Sequence, residues 1–242
     1  MSNMESDDKK NIGVELAAGL SHLVYPRLCE GCNKPLLAEE QVLCLNCSIY
    51  NLPRTAYHHI HENETFMRFA GSVNIEKATS LAYFTPDGLL QHLLHGLKYD
   101  SKKEIGAYLG TQLGYDLLQT NWQQGIDAII PVPLHPKKEA IRGFNQALLI
   151  AEAMGDVMKL PVLDKIVRRT RFTETQTQKT REQRMENMQG AFEVVNDEKL
   201  TGKHILLIDD VLTTGATLEA CAHCLLAVSG VKVSIATIGI AG

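Results

Sequence analysis

This chain of 242 residues lacks several features that would assign it to a class at once. It has no apolar stretch near the length of about 20 residues that a membrane-spanning helix needs. It has no large excess of either charge, since the formal net charge is −4, and this excludes a protein that coats nucleic acid through its overall charge. It also has no Gly-x-x-x-x-Gly-Lys-Ser/Thr segment, which excludes a P-loop nucleotide site.

The amino-terminal segment is interpreted as a polar tail and an amphipathic helix rather than as a targeting signal. Residues 12–24 are apolar but contain Glu15 and His22, are too short to span a bilayer and have no clear cleavage site. We therefore expect a cytoplasmic protein. A chain of this length allows one large domain together with one small module.

Six cysteines fall into three Cys-x-x-Cys pairs, of which the first two belong together. They are Cys29 with Cys32 and Cys44 with Cys47, separated by eleven residues. Each pair can place two thiolates on one face of a tetrahedral zinc ion, and the metal would supply the folding free energy of a module too small to bury a core. A structural zinc site is the favoured interpretation, with an iron–sulfur cluster, disulfides or a degenerate site as alternatives.

Two further groups of possible metal ligands have simpler interpretations. Cys221 and Cys224 lie one turn apart in a predicted helix among Ala and Leu residues, which favours packing in the core over a ligand role. His58, His59 and His61 are predicted to be solvated side chains of a loop, although with the neighbouring acids they permit weak metal binding.

Apolar periodicity predicts alternating strands and helices over the rest of the chain. The predicted helices cover residues 89–98, 103–118, 145–158 and 218–228, and the predicted strands cover residues 81–84, 126–130, 165–169 and 232–238. This alternation predicts an α/β fold in which helices flank both faces of a twisted, mainly parallel sheet.

The most informative segment runs from His204 to Thr217. Its apolar residues 205–208 predict a buried strand that ends at the adjacent carboxylates Asp209 and Asp210. A loop of small residues and the start of a helix follow. N–H groups at a helix start can bind a phosphate, and carboxylates at the carboxyl end of a strand can accept hydrogen bonds from vicinal hydroxyls. The segment predicts a phosphate-and-sugar site, with an ordinary strand-to-helix turn capped by threonine as the alternative.

A basic segment after the predicted strand at 126–130 is expected to face the same crevice. Lys137, Lys138 and Arg142 follow a stiff, proline-rich exit from that strand. Such a cluster can neutralise a pyrophosphate, with Arg142 capable of a bidentate contact. A solvated charged loop is the alternative interpretation.

A second basic segment runs from Arg168 to Arg184. Residues 173–180 are polar and have no apolar periodicity, which predicts a mobile loop that closes over the site as a lid. Arg181 and Arg184 are the candidate ligand-binding cations of this loop. An ordinary surface loop and a contact with nucleic-acid phosphates are the alternatives.

The segment from Ile205 to Thr217 resembles the signature of type I phosphoribosyltransferases, in which four apolar residues, two acids and three variable residues precede Thr/Ser-Gly-x-Thr. The resemblance implies that Asp209 and Asp210 hold the ribose hydroxyls of phosphoribosyl pyrophosphate and act as the catalytic pair. It assigns the 5′-phosphate to the loop, which consists of Thr213, Thr214, Gly215, Ala216 and Thr217.

Motifs along nearly the whole chain from Tyr25 onward resemble the ComF family in their order. They are the four cysteines, His-Gly-Leu-Lys-Tyr at 95–99, Pro-Val-Pro-Leu-His-Pro at 131–136, Arg-Gly-Phe-Asn-Gln at 142–146, residues 181–187 and the acidic loop. The resemblance implies a phosphoribosyltransferase-like domain at 56–242 and a small zinc-binding module at 25–55, after a tail and helix at 1–24. It also implies a link to DNA uptake in natural transformation.

Two functions are consistent with the sequence. The first is binding of phosphoribosyl pyrophosphate together with Mg²⁺, which would bridge pyrophosphate and hydroxyl oxygens. If the protein is an enzyme, an acceptor that the sequence does not identify would displace pyrophosphate at ribose C1. The second is a non-catalytic protein that binds single-stranded DNA or a protein of the uptake machinery through the basic segment 168–184 and the zinc module.

Overall fold

The computed structural model describes residues 26–171 and 190–242. The chain divides into two compact units between Asn51 and Leu52, and the sequence places this boundary four residues later.

The first unit is built around short local structures rather than a large core. An antiparallel bridge joins Leu28 to Pro35, and a short helix covers Cys47–Asn51. Only a few of its apolar side chains are buried, as expected for a module of this size. The predicted helix at 12–24 lies outside the described residues.

The second unit alternates strands and helices along the chain. After a single helical turn at Tyr57–His59, its elements in chain order are α1 (Glu64–Met67), β1 (Ala78–Phe84), α2 (Leu89–Tyr99), α3 (Lys103–Gln119), β2 (Ala128–Pro131), α4 (Pro136–Arg142), α5 (Gln146–Met158), β3 (Val167–Arg169), β4 (Phe192–Val194), β5 (His204–Leu212), α6 (Ala216–Leu226) and β6 (Lys232–Ala241). The elements that the sequence predicts between residues 81 and 238 are all present, with ends that differ by a few residues.

Four of the strands form one parallel sheet in the order β1-β6-β5-β2, while β3 and β4 form a separate antiparallel pair. In the central strand β5, residues 205–208 are all 0% exposed, because a central strand covered on both faces needs an unbroken apolar run. The predicted α/β fold with a parallel sheet is confirmed. Because all four strands of this sheet are parallel, their carboxyl ends lie at the same edge of the sheet.

Helices cover both faces of this sheet. Ile205 and Leu207 share a buried cluster with Cys221 and Leu225 of α6, so α6 lies on the face to which these alternate residues point. Helix α5 packs on the other face and is itself covered by α3. At Gly110 of α3 a side chain would overlap the backbone of α5, so glycine permits the close approach of the two helices.

Two local predictions differ from the structure. Strand β5 does not end at the acids but continues to Leu212, because Val211 and Leu212 pair with the last part of β6. The sequence predicts no helix between β2 and Asn145, whereas the structure has the helix α4 there. This helix begins where His135 accepts a hydrogen bond from the N–H of Lys137 through its side chain and where Pro136 occupies the first turn.

Candidate functional site

The acidic pair lies at the carboxyl-terminal part of β5, partly shielded from water. Asp209 accepts a hydrogen bond from the N–H of Asp210 through Oδ1, at 2.8 Å. Burial, reinforced by the charge of Asp210, raises the pKa of Asp209 to about 7. Asp210 forms an ion pair with Lys98 at the end of α2, with 2.5 Å between Nζ and Oδ2. The two acids are therefore electrostatically different.

The loop that follows β5 borders a small cavity of about 40 Å³, which Asp209 also lines. Gly215 has a φ of +84° and is the N-cap of α6, with no side chain that caps the helix. A Cβ at this position would lie 3.5 Å from the ring of Phe69. The loop is thus a close-fitting turn that presents the start of α6 to the cavity.

Arg68, which directly follows α1, holds this loop through hydrogen bonds to the backbone. Arg68 donates hydrogen bonds to the carbonyl oxygens of Thr213, at 3.5 Å, and Ala241, at 2.8 Å. It also pairs with Glu64 one turn earlier, and this pairing lowers the pKa of the Glu64 carboxyl. The loop is consequently tied to the end of β6.

The predicted pyrophosphate-binding residues lie on α4 and form a basic cluster. Burial and the neighbouring charges of Arg169 and Arg142 lower the pKa of Lys138, which indicates that these cations lie close together. Lys137 lies in the first turn of α4, and Arg142 donates to Gln146 Oε1 at 2.8 Å. The cluster concentrates positive charge that suits a polyanion.

Arg169 is a member of this cluster that sequence reasoning missed. It ends strand β3, its pKa is lowered chiefly by burial, and the charge of Asp209 acts in the opposite direction. Arg169 therefore interacts electrostatically with both the basic cluster and the acidic pair. The sequence places Arg169 in the basic segment 168–184 but does not distinguish it from the other cations of that segment. Its neighbour Arg168 instead pairs with Glu193 across β3 and β4, at 3.0 Å. Arg181 and Arg184 lie outside the described residues.

In the first unit, the four cysteines at the front of the chain form one cluster. The Sγ atoms of Cys29, Cys32, Cys44 and Cys47 all lie within 4.8 Å of one another. The N–H groups of Cys44 and Gly31 donate to Cys29 Sγ at 3.2 and 3.4 Å. Although burial disfavours the thiolate, these N–H donors lower the pKa of Cys29 to about 7. The cluster is one that could bind a metal ion.

The remaining cysteines and histidines do not join a ligand cluster among the described residues. Cys221 is buried in the core under α6, and Cys224 packs against that core. The prediction of a solvated histidine loop is wrong for His58. Its side chain is only 10% exposed and lies 3.9 Å from Asp116, and burial lowers its pKa. His61 makes a hydrogen bond to the carbonyl oxygen of Glu76.

Comparison with known proteins shows which proteins this chain is similar to. The model of the phosphoribosyl transferase domain matches residues 145–240, which include the acidic pair and the loop. DNA utilization protein YhgH of Escherichia coli K12 is 28% identical over 218 residues, which cover 84% of this chain and 92% of that protein. Competence protein F of Haemophilus influenzae is 37% identical over 94 residues, covering 38% and 41% of the two chains. Competence protein ComFC of Bacillus subtilis is 38% identical over 98 residues, covering 40% and 38%.

The chain belongs to the ComF family. This membership confirms the family resemblance of the sequence, and the type I phosphoribosyltransferase fold agrees with the parallel sheet described above. In this ComF protein, no helix of residues 26–171 or 190–242 combines the length and the apolarity that crossing a membrane requires.

Proposed function

We propose that this ComF protein binds phosphoribosyl pyrophosphate, or a related 5-phosphoribosyl ligand, at the carboxyl edge of its parallel sheet. One observation carries the proposal: an acidic pair, a small-residue loop and a basic cluster border one another there. Asp209 lines the loop cavity and interacts electrostatically with Arg169, which in turn interacts with Lys138. A sugar with a phosphate at one end and a pyrophosphate at the other matches this distribution of charge.

Each part of the site has a proposed role. Asp209 and Asp210 accept hydrogen bonds from the ribose hydroxyls. The N–H groups and hydroxyls of residues 213–217 bind the 5′-phosphate. Lys137, Lys138, Arg142 and Arg169 neutralise the pyrophosphate, and we expect Arg181 and Arg184 of the basic segment 168–184 to contribute as well.

We further propose phosphoribosyl transfer as the reaction when an acceptor is bound. The bond from ribose C1 to the pyrophosphate oxygen breaks, and pyrophosphate leaves with the bonding electrons. A lone pair of the acceptor forms the new bond at C1. The acidic pair stabilises positive charge on the sugar, and the cations of α4 stabilise the leaving group.

The acidic pair does not fit a magnesium site of its own. Asp210 is already paired with Lys98, and among the described residues only the four cysteines bring three or more potential metal-ligating residues together. We therefore expect Mg²⁺ to be bound by the oxygens of the ligand, as is usual for pyrophosphates. None of the protein's roles proposed above depends on a preformed metal site.

Titration calorimetry with phosphoribosyl pyrophosphate and Mg²⁺ tests the binding proposal. The wild type should bind, and the double variant Asp209→Asn with Asp210→Asn should not. The matched control is Asp156→Asn with Asp164→Asn, which removes two exposed carboxylates and should leave the affinity unchanged. Unchanged affinity in the acidic-pair variant would contradict the assignment. If the ligand binds, release of pyrophosphate in a screen of purine, pyrimidine and nicotinate acceptors tests transfer.

We also propose that the four cysteines bind a structural Zn²⁺. A tetrahedral site with Zn–S bonds of about 2.3 Å separates its sulfurs by about 3.8 Å. The Sγ atoms of Cys32 and Cys44 lie 3.7 Å apart. The N–H donors to Cys29 Sγ favour the thiolate that a metal needs. An iron–sulfur cluster would use the same four ligands and differs in its iron content and visible absorption.

A role in DNA uptake or utilisation is the second proposal, and the names of the relatives favour it. In this role the basic segment 168–184 and the four-cysteine unit contact single-stranded DNA or a partner protein. Fluorescence anisotropy with a labelled oligonucleotide at several salt concentrations tests it. Arg181→Ala with Arg184→Ala should weaken binding and flatten its salt dependence, whereas Lys203→Ala with Lys232→Ala should not. Identical binding by both variants would rule out the basic segment.

A further inference from the structure

The last turn of α2 brings Lys98 next to the acidic pair. Four buried leucines fix α2, and Gly239 of β6 lets it approach the sheet, since a Cβ there would lie 3.1 Å from Leu90. Lys98 follows the last of these leucines. Its ammonium lies 2.5 Å from Asp210 Oδ2, and the side chains of the two residues are only 23% and 16% exposed. The packing around both side chains therefore holds the ion pair between Lys98 and Asp210 in place.

This contact leaves a particular pair of oxygens for a ligand. Oδ1 of Asp209 accepts the N–H of Asp210, and Oδ2 of Asp210 accepts from Lys98. For the other oxygen of each acid, the structure records no hydrogen-bond partner within residues 26–171 and 190–242. Each carboxylate thus has one oxygen held by the protein and one that can accept from a hydroxyl.

We infer that Lys98 is a positioning residue that orients Asp210 so that the acidic pair can accept one hydrogen bond from each hydroxyl of a vicinal diol. This inference rests on the proposed phosphoribosyl site and deepens it, because it adds a residue outside the acidic loop that sets how the acidic pair meets the sugar. A ligand without the diol leaves one of the two oxygens without a donor, which costs affinity.

Other charged groups near the acidic pair do not substitute for Lys98. Arg169 and the buried thiol of Cys221 interact with Asp209, and Arg142 lies over the ring of Tyr99, 5.8 Å from its centre. Within the part of the chain that the structure describes, Lys98 is the only residue that forms an ion pair with Asp210. Loss of its ammonium should therefore free the Asp210 side chain to rotate.

The test compares two sugar phosphates that differ by one hydroxyl, ribose 5-phosphate and 2-deoxyribose 5-phosphate. We expect the wild type to bind ribose 5-phosphate about tenfold more tightly, because one hydrogen bond to a charged group is worth about that factor. In Lys98→Met, which keeps most of the side chain and removes the ammonium, this preference should fall to about twofold. Lys98→Arg should retain most of it. Inorganic pyrophosphate, which has no diol, should bind equally well to all three proteins.

A matched control is Lys232→Met, which removes a lysine paired with Glu76 at the opposite edge of the sheet and should keep the preference. If Lys98→Met does not fold, Lys98→Gln provides the same measurement. A preserved preference in a folded Lys98 variant would overturn the positioning role and leave the phosphoribosyl site standing. Failure of the wild type to bind either sugar phosphate would overturn the proposed function and this inference with it.

Discussion

The guanidinium of Arg54 forms an ion pair with the carboxylate of Asp116, a residue that is only 8% exposed. Arg54 lies beside β1, where it bridges to Ala82, and Asp116 belongs to α3. The pair therefore ties the edge of the sheet to the helix that covers α5. Asp116 also faces His58, but burial of that imidazole outweighs the attraction and lowers its pKa.

Removal of Arg54 should destabilise the second unit, since it leaves a buried carboxylate without its cation. We expect Arg54→Met to lower the free energy of unfolding by about 2 kcal/mol, less than for a fully buried pair because the Arg54 side chain is 29% exposed. Urea denaturation measures this. In a double-mutant cycle with Asp116→Asn, the double variant should lose less than the sum of the single losses. If the two single losses add up to the loss of the double variant, the ion pair between Arg54 and Asp116 contributes no coupling energy to stability.

Zinc binding is expected at about one ion per chain in protein purified under reducing conditions. Cys44→Ser should abolish it, because three thiolates bind structural zinc far more weakly than four. Cys224→Ser is the matched control, since it changes a partly buried cysteine on α6 and should retain the metal. Elemental analysis of the wild type and the two variants measures the zinc content. A zinc content well below one in the wild type, or its loss in the control, would contradict the four-cysteine assignment.

The sequence predicted features that depend on neighbouring residues and missed those that depend on the fold. The apolar run of β5, the acids and the small-residue loop are contiguous, so their pattern indicated both a strand and a site. Lys98 and Arg169 are far from Asp210 and Asp209 in the chain, and only the packing of α2 and the end of β3 brings them there. Nothing local distinguishes these two cations from solvated ones.

Helix ends were predictable where a capping residue was evident and not where the cap was unusual. Asn145 caps α5 with its side chain, in agreement with the predicted start of that helix. The start of α4 depends on a histidine as the capping residue, and Lys137 and Lys138 next to it suggested a loop. The ends of β5 and β6 extend further than predicted because each strand provides the hydrogen-bond partners of the other.

The raised pKa of Asp209 predicts a stability that depends on pH. Its pKa is about 7 in the folded protein and near 3.8 when exposed, so the folded state binds the extra proton between these values. Stability should therefore fall as the pH rises from about 4 to 7. Asp209→Asn removes this loss and should be more stable than the wild type at pH 8, by about 4 kcal/mol at most, with a gain that disappears toward pH 4.

Urea denaturation at pH 5 and pH 8 measures this difference. Asp156→Asn, at an exposed position of α5, serves as the control and should change stability by less than about 0.5 kcal/mol at both pH values. A gain for Asp209→Asn that is the same at pH 5 and pH 8 would contradict the pH dependence. It would mean that the buried carboxyl is not the group that titrates.

Gly215 offers a test that separates the backbone of the loop from its side chains. It has a φ of +84°, which alanine adopts only with strain, so Gly215→Ala should shift the loop backbone that borders the cavity. Gly125 has a φ of +82° and open space around it, at the other end of the sheet where β2 begins. Both alanine variants should therefore lose about 1 kcal/mol of stability from the backbone alone.

Only Gly215→Ala should lower the affinity for phosphoribosyl pyrophosphate, by about tenfold or more, in the same calorimetric titration. Equal affinities in the two variants would show that the loop does not bind the 5′-phosphate.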